Sequence, residues 1–398
     1  MLSVEQARAQ ILAALAPLGT ETVGLEAALG RILAEDLAAR VTQPPADLSA
    51  MDGYAVRAAD VAQVPAVLTV IGEAPAGGSY SGTVGPGQAV RIFTGGPVPA
   101  GADAVVIQED TDRAGDHVAV KAAPKPRENV RDAGLDFQKG AVVLAKGRRL
   151  AARDVALAAA ANHPTLAVGR RPRIAILATG DELVNPGDPI GPNQIVSSNG
   201  FGMSAFVRAQ GGEPLDLGIA PDDAEALKIM AQGAAGADML VTIGGASVGD
   251  HDLIQRVLGE VGLKVDFWKI AMKPGKPLMF GSFNGTPMLG LPGNPVSALV
   301  CALLYLGPAI TKLQGGGDSA PRQIRARLGA AVKANNFRED FLRATLTVNA
   351  EGETVATAFP VQDSSMLGLL SRADGLIRRP PDAPAAKAGD WVPVIPLD

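Results

Sequence analysis

RIAILATGDEL, residues Arg173–Leu183, is the stretch from which the fold is read. Its first five residues, Arg173–Leu177, are a continuous apolar run of the kind buried on both faces of a parallel sheet. The run feeds Thr179-Gly180-Asp181-Glu182. A hydroxyl and two carboxylates are therefore expected at the carboxyl end of a parallel strand, where open α/β sheets bind ligands. Downstream, Gln194–Gly200 is expected to open a helix that runs through Gln210. Leu215–Ile219 reads as a strand, and Asp222 and Asp223 as caps of a helix over Ala224–Ala235. Asp238–Ile243 reads as another buried strand, followed by a helix through Val261. This alternation over about 130 residues predicts one doubly wound α/β domain. Between that strand and helix lies Gly244-Gly245-Ala246-Ser247-Val248-Gly249, with Asp250 and Asp252 next. The loop is similar to a phosphate loop, but matches neither a Walker A motif nor a dinucleotide fingerprint.

The following segment, Val265–Ser297, carries a second signal. VDFWKIAM (residues 265–272) alternates like a strand and is stopped by Pro274. Lys273 and Lys276 then sit in a stiff Pro-Gly-Lys-Pro turn. A strand over Leu278–Phe280, a hairpin over Asn284-Gly285 and a strand over Pro287–Leu291 are expected next. Pro292-Gly293-Asn294-Pro295 leads into an apolar helix, Val296–Leu306. Asn294 suits the N-cap, Pro295 the first helical position, and Ser297 the first turn. Free N–H groups at a helix start favour anions, so two ammonium groups and a capped helix start indicate a site for phosphate or another tetrahedral oxyanion. Taken singly, a turn lysine is equally a solvated surface group, and an Asn-Pro pair equally a plain cap.

Length and composition bound the domain count and the class. Its 398 residues allow two to four domains, and 47 glycines with 30 prolines suit short loops and small-residue packing. The net charge of -5 and the lack of a long basic run argue against a general nucleic-acid surface. One cysteine, Cys301, rules out an intrachain disulfide and reads as a small core residue. Reducing cytosol fits, and the start (MLSVEQARAQ) is not expected to be a signal peptide. The apolar run near Ala298–Leu306 reads as too short to cross a bilayer, so no membrane association is expected. The three histidines, His117, His163 and His251, are scattered, and each reads as a surface or capping residue.

Near the start, Ser3 and Gln6 form a capping-box pattern, followed by Val4, Ala7, Ile11, Leu15 and Leu18 at helical spacing. Asp47–Arg57 contains an Asp52-Gly53 turn before a strand, and residues 58–130 read as short strands of a small β domain. There Thr94 ends a strand beside two glycines. Asn129–Gly140 is a polar loop carrying Asp132 and Asp136. Val142–Leu150 reads as a strand, with a helix from Arg153-Asp154 to Ala161. Beyond a glycine-rich linker, Gln314–Asp318, alternating strands and one short helix at Ser364–Ser371 predict a small β-barrel or sandwich.

Asp52, Asp136, Glu182 and Asp252 all lie in loops at element ends. Carboxylates facing lysines suit a hard cation, most often Mg²⁺, bridging protein to phosphate. No nucleophile lies beside a histidine base, so covalent acyl transfer is disfavoured. Positioning and charge neutralisation at a phosphate are the expected mode of action.

Seven motifs occur in one order along the chain: SAMDGYAV, RIFTGGPVPAGADAVV, AGLDF, ATGDEL, GGASVGDHD, KPGKP and LPGNPVSA. Together they closely resemble the bacterial MoeA family of molybdopterin molybdenumtransferases, related to the gephyrin E domain. The resemblance covers essentially the whole chain. It implies four parts: a mixed α/β domain from residues 1–44 plus 138–170, an inserted β-rich domain at 45–137, a MoaB/MogA-like α/β domain at 171–315, and a C-terminal β-barrel-like domain at 316–398. It implies insertion of molybdenum from molybdate into adenylylated molybdopterin, with release of AMP and a requirement for Mg²⁺. It also implies a cytoplasmic homodimer whose cleft is shared between subunits, and transient contact with the molybdopterin adenylyltransferase and with molybdoenzyme apoproteins.

By motif, the resemblance implies catalytic roles for Asp52, Asp136, Glu182, Asp252, Lys273 and Lys276. Metal binding falls to Glu182, Asp252 and Asp52, and substrate binding to Thr94, Asn199, Asp223 and Ser297. Two departures stand out: Ala246 replaces a usual valine, and Leu135 replaces a usual glutamate, removing a carboxylate near Asp136. Two other readings are a gephyrin-like scaffold without catalysis and a nucleotide pyrophosphatase using only the α/β domain. The retained acids and lysines argue against the first. The MDGYA segment and the C-terminal domain argue against the second.

Overall fold

The computed structural model describes residues 1–244, 253–317 and 320–397, with side chains of 253–256 excepted. At its centre is a six-stranded sheet, ordered Glu213–Ala220, Arg173–Thr179, Met239–Ile243, Thr286–Leu291, Met279–Phe283, Leu263–Trp268. The first four strands are mutually parallel, and Met279–Phe283 runs against both its neighbours. Arg173–Thr179 and Met239–Ile243 are buried along nearly their whole length, as continuous apolar runs require. Helices cover both faces. One side packs Asn199–Ala209 and the long helix from Pro295 against Ile174, Ile176, Val241 and Leu289. The other packs Ala224–Gln232 against Ala175, Leu177 and Leu240. The doubly wound α/β architecture read from the sequence is the one observed.

The hairpin at Asn284-Gly285 is present, with φ of 49° and 83° at its two central residues, the signature of a type I′ turn. The preceding strand is shorter than its alternation suggested. It ends at Trp268, because Lys269 turns into left-handed backbone at φ 69°. Met272–Lys273 then leaves the sheet and pairs in parallel with Glu339 and Asp340 of the C-terminal barrel.

The apolar helix was expected to stop at Leu306, before Gly307-Pro308. It continues to Leu313: an α segment Pro295–Cys301, a π turn Ala302–Leu306, and an α segment Gly307–Leu313. Pro308 has no N–H to give and its ring presses on the preceding turn. Widening that turn to π geometry lets the helix pass the proline. The resulting 19-residue helix is long and apolar enough to cross a membrane, but 78% of its apolar window is buried inside this fold. Cys301 lies on it, fully buried.

The N-terminal helix Val4–Ala13 has the expected capping box on Ser3 and Gln6. Its Val4, Ala7 and Ile11 join the core of the α/β unit. Thr20–Gly24 pairs with Thr165–Gly169, and Leu37–Ala38 with Val142–Leu144, so two distant segments close around the intervening residues. Those residues form a six-stranded β unit in the order Ala104–Ile107, Gly53–Val56, Gln88–Ile92, Ala66–Ala74, His117–Val120, Thr111–Ala114. His163 is neither a surface nor a capping residue: it is 8% exposed and its Nε2 meets the Ala38 carbonyl at 2.8 Å.

The C-terminal part is a closed five-stranded barrel. Glu339–Val348 pairs with Thr354–Ala358 on one side and Gly375–Arg379 on the other, while Ile324–Leu328 and Trp391–Pro396 complete the circuit.

Candidate functional site

Three adjacent parallel strands end side by side at one edge of the central sheet. Arg173–Thr179 ends at Thr179, Met239–Ile243 runs into Gly244, and Thr286–Leu291 runs into Pro292 and Gly293. Gly244 has φ 92°, and a Cβ there would lie 2.8 Å from the Thr179 carbonyl oxygen. Only glycine lets these two strand ends approach so closely. Above them opens a cleft of about 740 Å³. Its floor is Thr179, Ile243 and Pro292, and its walls carry Glu182, Asn199, Asp222 and Lys276.

Two helices begin at this cleft, Asn199–Ala209 and the helix from Pro295. Asn199 Nδ2 donates to the Gly293 carbonyl at 2.6 Å and ties the two helix starts together. Asn294 occupies the N-cap position, but its side chain does not cap. It donates instead to Ser364 Oγ at 3.0 Å. The Val296 N–H donates to the Ser364 carbonyl at 3.1 Å. This helix start is thus half closed by a loop of the C-terminal domain. Pro295 has no N–H and the Ala298 N–H goes to the Asn294 carbonyl. Among the described residues the Ser297 N–H has no partner, so it is the amide of this first turn left for an anion. The Ser297 side chain is buried beneath, 4% exposed.

The loop is held from inside the barrel. Arg343 is 1% exposed, with its backbone N–H and Nε both donating to Gln362 Oε1 and its Nη1 to the Asp363 carbonyl at 2.7 Å. Gln362 Nε2 donates back to the Arg343 and Phe359 carbonyls. Burial lowers the Arg343 pKa from its ordinary value. The same loop puts Ser365 and Leu367 on the cleft wall.

The two turn lysines separate. Lys276 lines the cleft, while Lys273 is exposed on the short strand beside Asp340 and does not line it. Gly275 between them has φ 110°, and a Cβ there would meet Cys301 Sγ at 2.6 Å. The glycine lets the turn press onto the buried helix and fixes where Lys276 starts.

Of the paired acids Asp222-Asp223, the second is the cap: Asp223 Oδ1 accepts from the Ala226 N–H at 2.8 Å, and Asp222 is left facing the cleft. The family resemblance implied Asp223 for substrate binding, but its side chain is taken up by the cap and it does not line the cleft. Only the helix register tells the two acids apart. Ser365 was missed as well, since nothing in sequence links it to a strand end almost 190 residues earlier.

Asp52 and Thr94 meet in the β-rich unit, where Gly53 pairs with Ile92. Asp52 Oδ1 accepts from both the Thr94 N–H and its hydroxyl at 2.7 Å. These hydrogen bonds, backbone first, hold the Asp52 pKa below the ordinary carboxylate value, with the nearby Arg91 helping. Arg91 stacks over Tyr54 and Phe93 and donates to the Gly53 carbonyl. Asp136 is exposed on its loop, next to an exposed Leu135. None of Asp52, Thr94 and Asp136 lines the cleft of the same chain. Asp252, and the glycine loop from Gly245 to Gly249 with Ala246, lie outside the described residues.

Comparisons with known proteins cover the chain end to end. Residues 2–162 match the MoeA N-terminal region (domain I and II), 175–312 a probable molybdopterin binding domain, and 325–397 the MoeA C-terminal region (domain IV). A molybdopterin molybdenumtransferase from Haemophilus influenzae is 37% identical over 402 residues, covering 100% of this chain and 99% of that one. One from a Nostoc species is 40% identical over 336 residues, covering 82% and 77%. The crystal structure of the molybdopterin biosynthesis moeA protein from Pyrococcus horikoshii superposes with a TM-score of 0.86 at 29% identity, covering 99% of each chain.

Proposed function

From its membership of the MoeA family of molybdopterin molybdenumtransferases, to which this chain belongs and which places it in molybdenum cofactor biosynthesis, we propose that it inserts molybdenum from molybdate into adenylylated molybdopterin and releases AMP. The observation that carries this reading is the cleft itself. Oxygen donors (Glu182, Asp222) and a cation (Lys276) converge beside a helix start, where three parallel strands end.

Glu182 and Asp222 suit Mg²⁺, which takes one or two carboxylates and completes its shell with water and substrate phosphate. Bound there, Mg²⁺ would supply charge neutralisation at the phosphates. Lys276 and the Ser297 N–H bind the oxyanion, with Lys273 entering from the barrel side. Asn199 keeps the two helix starts in register. Asp52, Thr94 and Asp136 come from a second copy of the chain, which explains why they lie away from the cleft in one copy. On this reading the enzyme acts as a cytoplasmic homodimer.

The experiment is AMP release from adenylylated molybdopterin by the full chain, with and without molybdate and Mg²⁺, beside Asp52→Ala and Lys276→Ala. Release that needs molybdate and is lost in both variants supports the proposal. Tight binding of the adenylate without release would turn the reading into that of a carrier.

A further inference from the structure

Arg91 lies on the strand Gln88–Ile92, directly across from Tyr54 of Gly53–Val56. Its guanidinium is stacked on two rings, with Cζ 5.2 Å from the centre of Tyr54 and 4.8 Å from that of Phe93. Tyr54 belongs to the core of the β-rich unit and is 4% exposed, so this platform is fixed. Stacking holds the planar fork in one orientation. From there it donates twice, by Nη1 to the Gly53 carbonyl at 3.0 Å and by Nη2 to Gln108 Oε1 at 2.8 Å. Neither acceptor is a carboxylate, so the two bonds set geometry rather than neutralise charge.

These partners adjoin the Asp52–Thr94 pair. Gly53 follows Asp52, and Phe93 precedes Thr94. Gln108 gives its backbone N–H to the Asp52 carbonyl at 3.0 Å. From the other side the turn is pressed onto the neighbouring strand, where a Cβ on Gly53 would run into the Val106 carbonyl oxygen. Thr94 takes Asp52 Oδ1, and among the described residues no hydrogen bond reaches Oδ2. We infer that Arg91 is a positioning residue for the reaction: through Gly53 and Gln108 it fixes the direction in which Asp52 presents its carboxylate to the shared cleft. This rests on the function proposed above and on Asp52 serving the cleft of a second copy.

The test measures molybdate-dependent AMP release by the full chain, with the melting temperature of each variant beside it. Arg91→Met keeps an apolar stem on the two rings and removes the fork. It should lower kcat by about 10²-fold, the cost of a small misplacement of an active-site group. KM should stay within about threefold, since the cation that receives the oxyanion, Lys276, is untouched. Arg91→Lys should remain at least about tenfold below the parent, because an ammonium is a point charge without the fork. Gln108→Leu alters an exposed side chain, so the chain folds, and it frees one arm of the guanidinium. Its kcat should fall by at least about threefold. Refolded in equal amounts with Lys276→Ala, Arg91→Met should regain about a quarter of parental activity. Refolded with Asp52→Ala it should regain none, since both defects then lie in the same half of the cleft. The inference is overturned if Arg91→Met or Gln108→Leu turns over like the parent, or if Arg91→Lys restores the parental rate. Recovery of Arg91→Met with Asp52→Ala, or none with Lys276→Ala in mixtures that contain hybrids, overturns it as well. A parent chain that releases no AMP overturns the proposed function, and this inference with it.

Discussion

At Asp52 one carboxylate oxygen accepts two hydrogen bonds from Thr94, and the folded pKa falls below the ordinary value for that reason. A carboxylate depressed in the folded state stabilises the fold above its unfolded pKa, and loses that contribution as pH falls through its folded pKa. The difference in urea midpoint between the parent chain and Asp52→Asn should therefore be constant near neutral pH and shrink as pH falls below the ordinary carboxylate pKa of about 3.9. A difference that persists in acid would assign the effect to packing. Lys276 is the cation that the cleft receives. Lys276→Ala should lower turnover by about 10²–10³, the usual loss when a preorganised charge is removed from a phosphate site, with little change in melting temperature. Glu182 and Lys276 were legible from the sequence, since one follows a buried strand and the other sits in a turn held by prolines. Asp222 was not, because two consecutive acids compete for one cap.

Among the elements, the loop Gln362–Leu367 shows how one domain completes another's site. Gln362→Leu removes the acceptor of two buried Arg343 donors. Each unsatisfied group costs about 1–3 kcal/mol, so urea denaturation should register a loss of roughly 2–6 kcal/mol. The freed loop should also weaken substrate binding, seen as a raised KM, because Ser364 no longer closes the helix start. The Gly244 turn is the second case. Gly244→Ala puts a Cβ against the Thr179 carbonyl in left-handed backbone, and should destabilise by roughly 1–3 kcal/mol. The π turn was illegible because Gly307-Pro308 is an ordinary stop signal. Packing of Leu304, Tyr305 and Ile310, all 0–2% exposed, outweighs it.

For the whole molecule, the separation of Asp52 from Lys276 makes the oligomer testable. Light scattering on a sizing column should give the mass of two chains. Asp52→Ala and Lys276→Ala, each inactive alone, should regain about a quarter of parental activity when refolded together in equal amounts. Half of the mixed dimers are hybrids, and each hybrid holds one intact site of two. No recovery in a mixture shown to contain hybrids would place each complete site within a single chain.

The amino-acid sequence by itself determined the buried parallel strands, the hairpin at Asn284-Gly285, the capping box at Ser3 and the motif set that identifies the family. These are local: an apolar run, a left-handed turn residue or a cap acts within a few residues of itself. Tertiary structure alone decided that Lys273 goes to the barrel while Lys276 goes to the cleft, that Ser364 and not Asn294 closes the helix start, and that Asp222 and not Asp223 faces the cleft. The first two outcomes depend on groups dozens to hundreds of residues apart competing for the same donor, acceptor or space. That competition is settled only when the domains pack against one another.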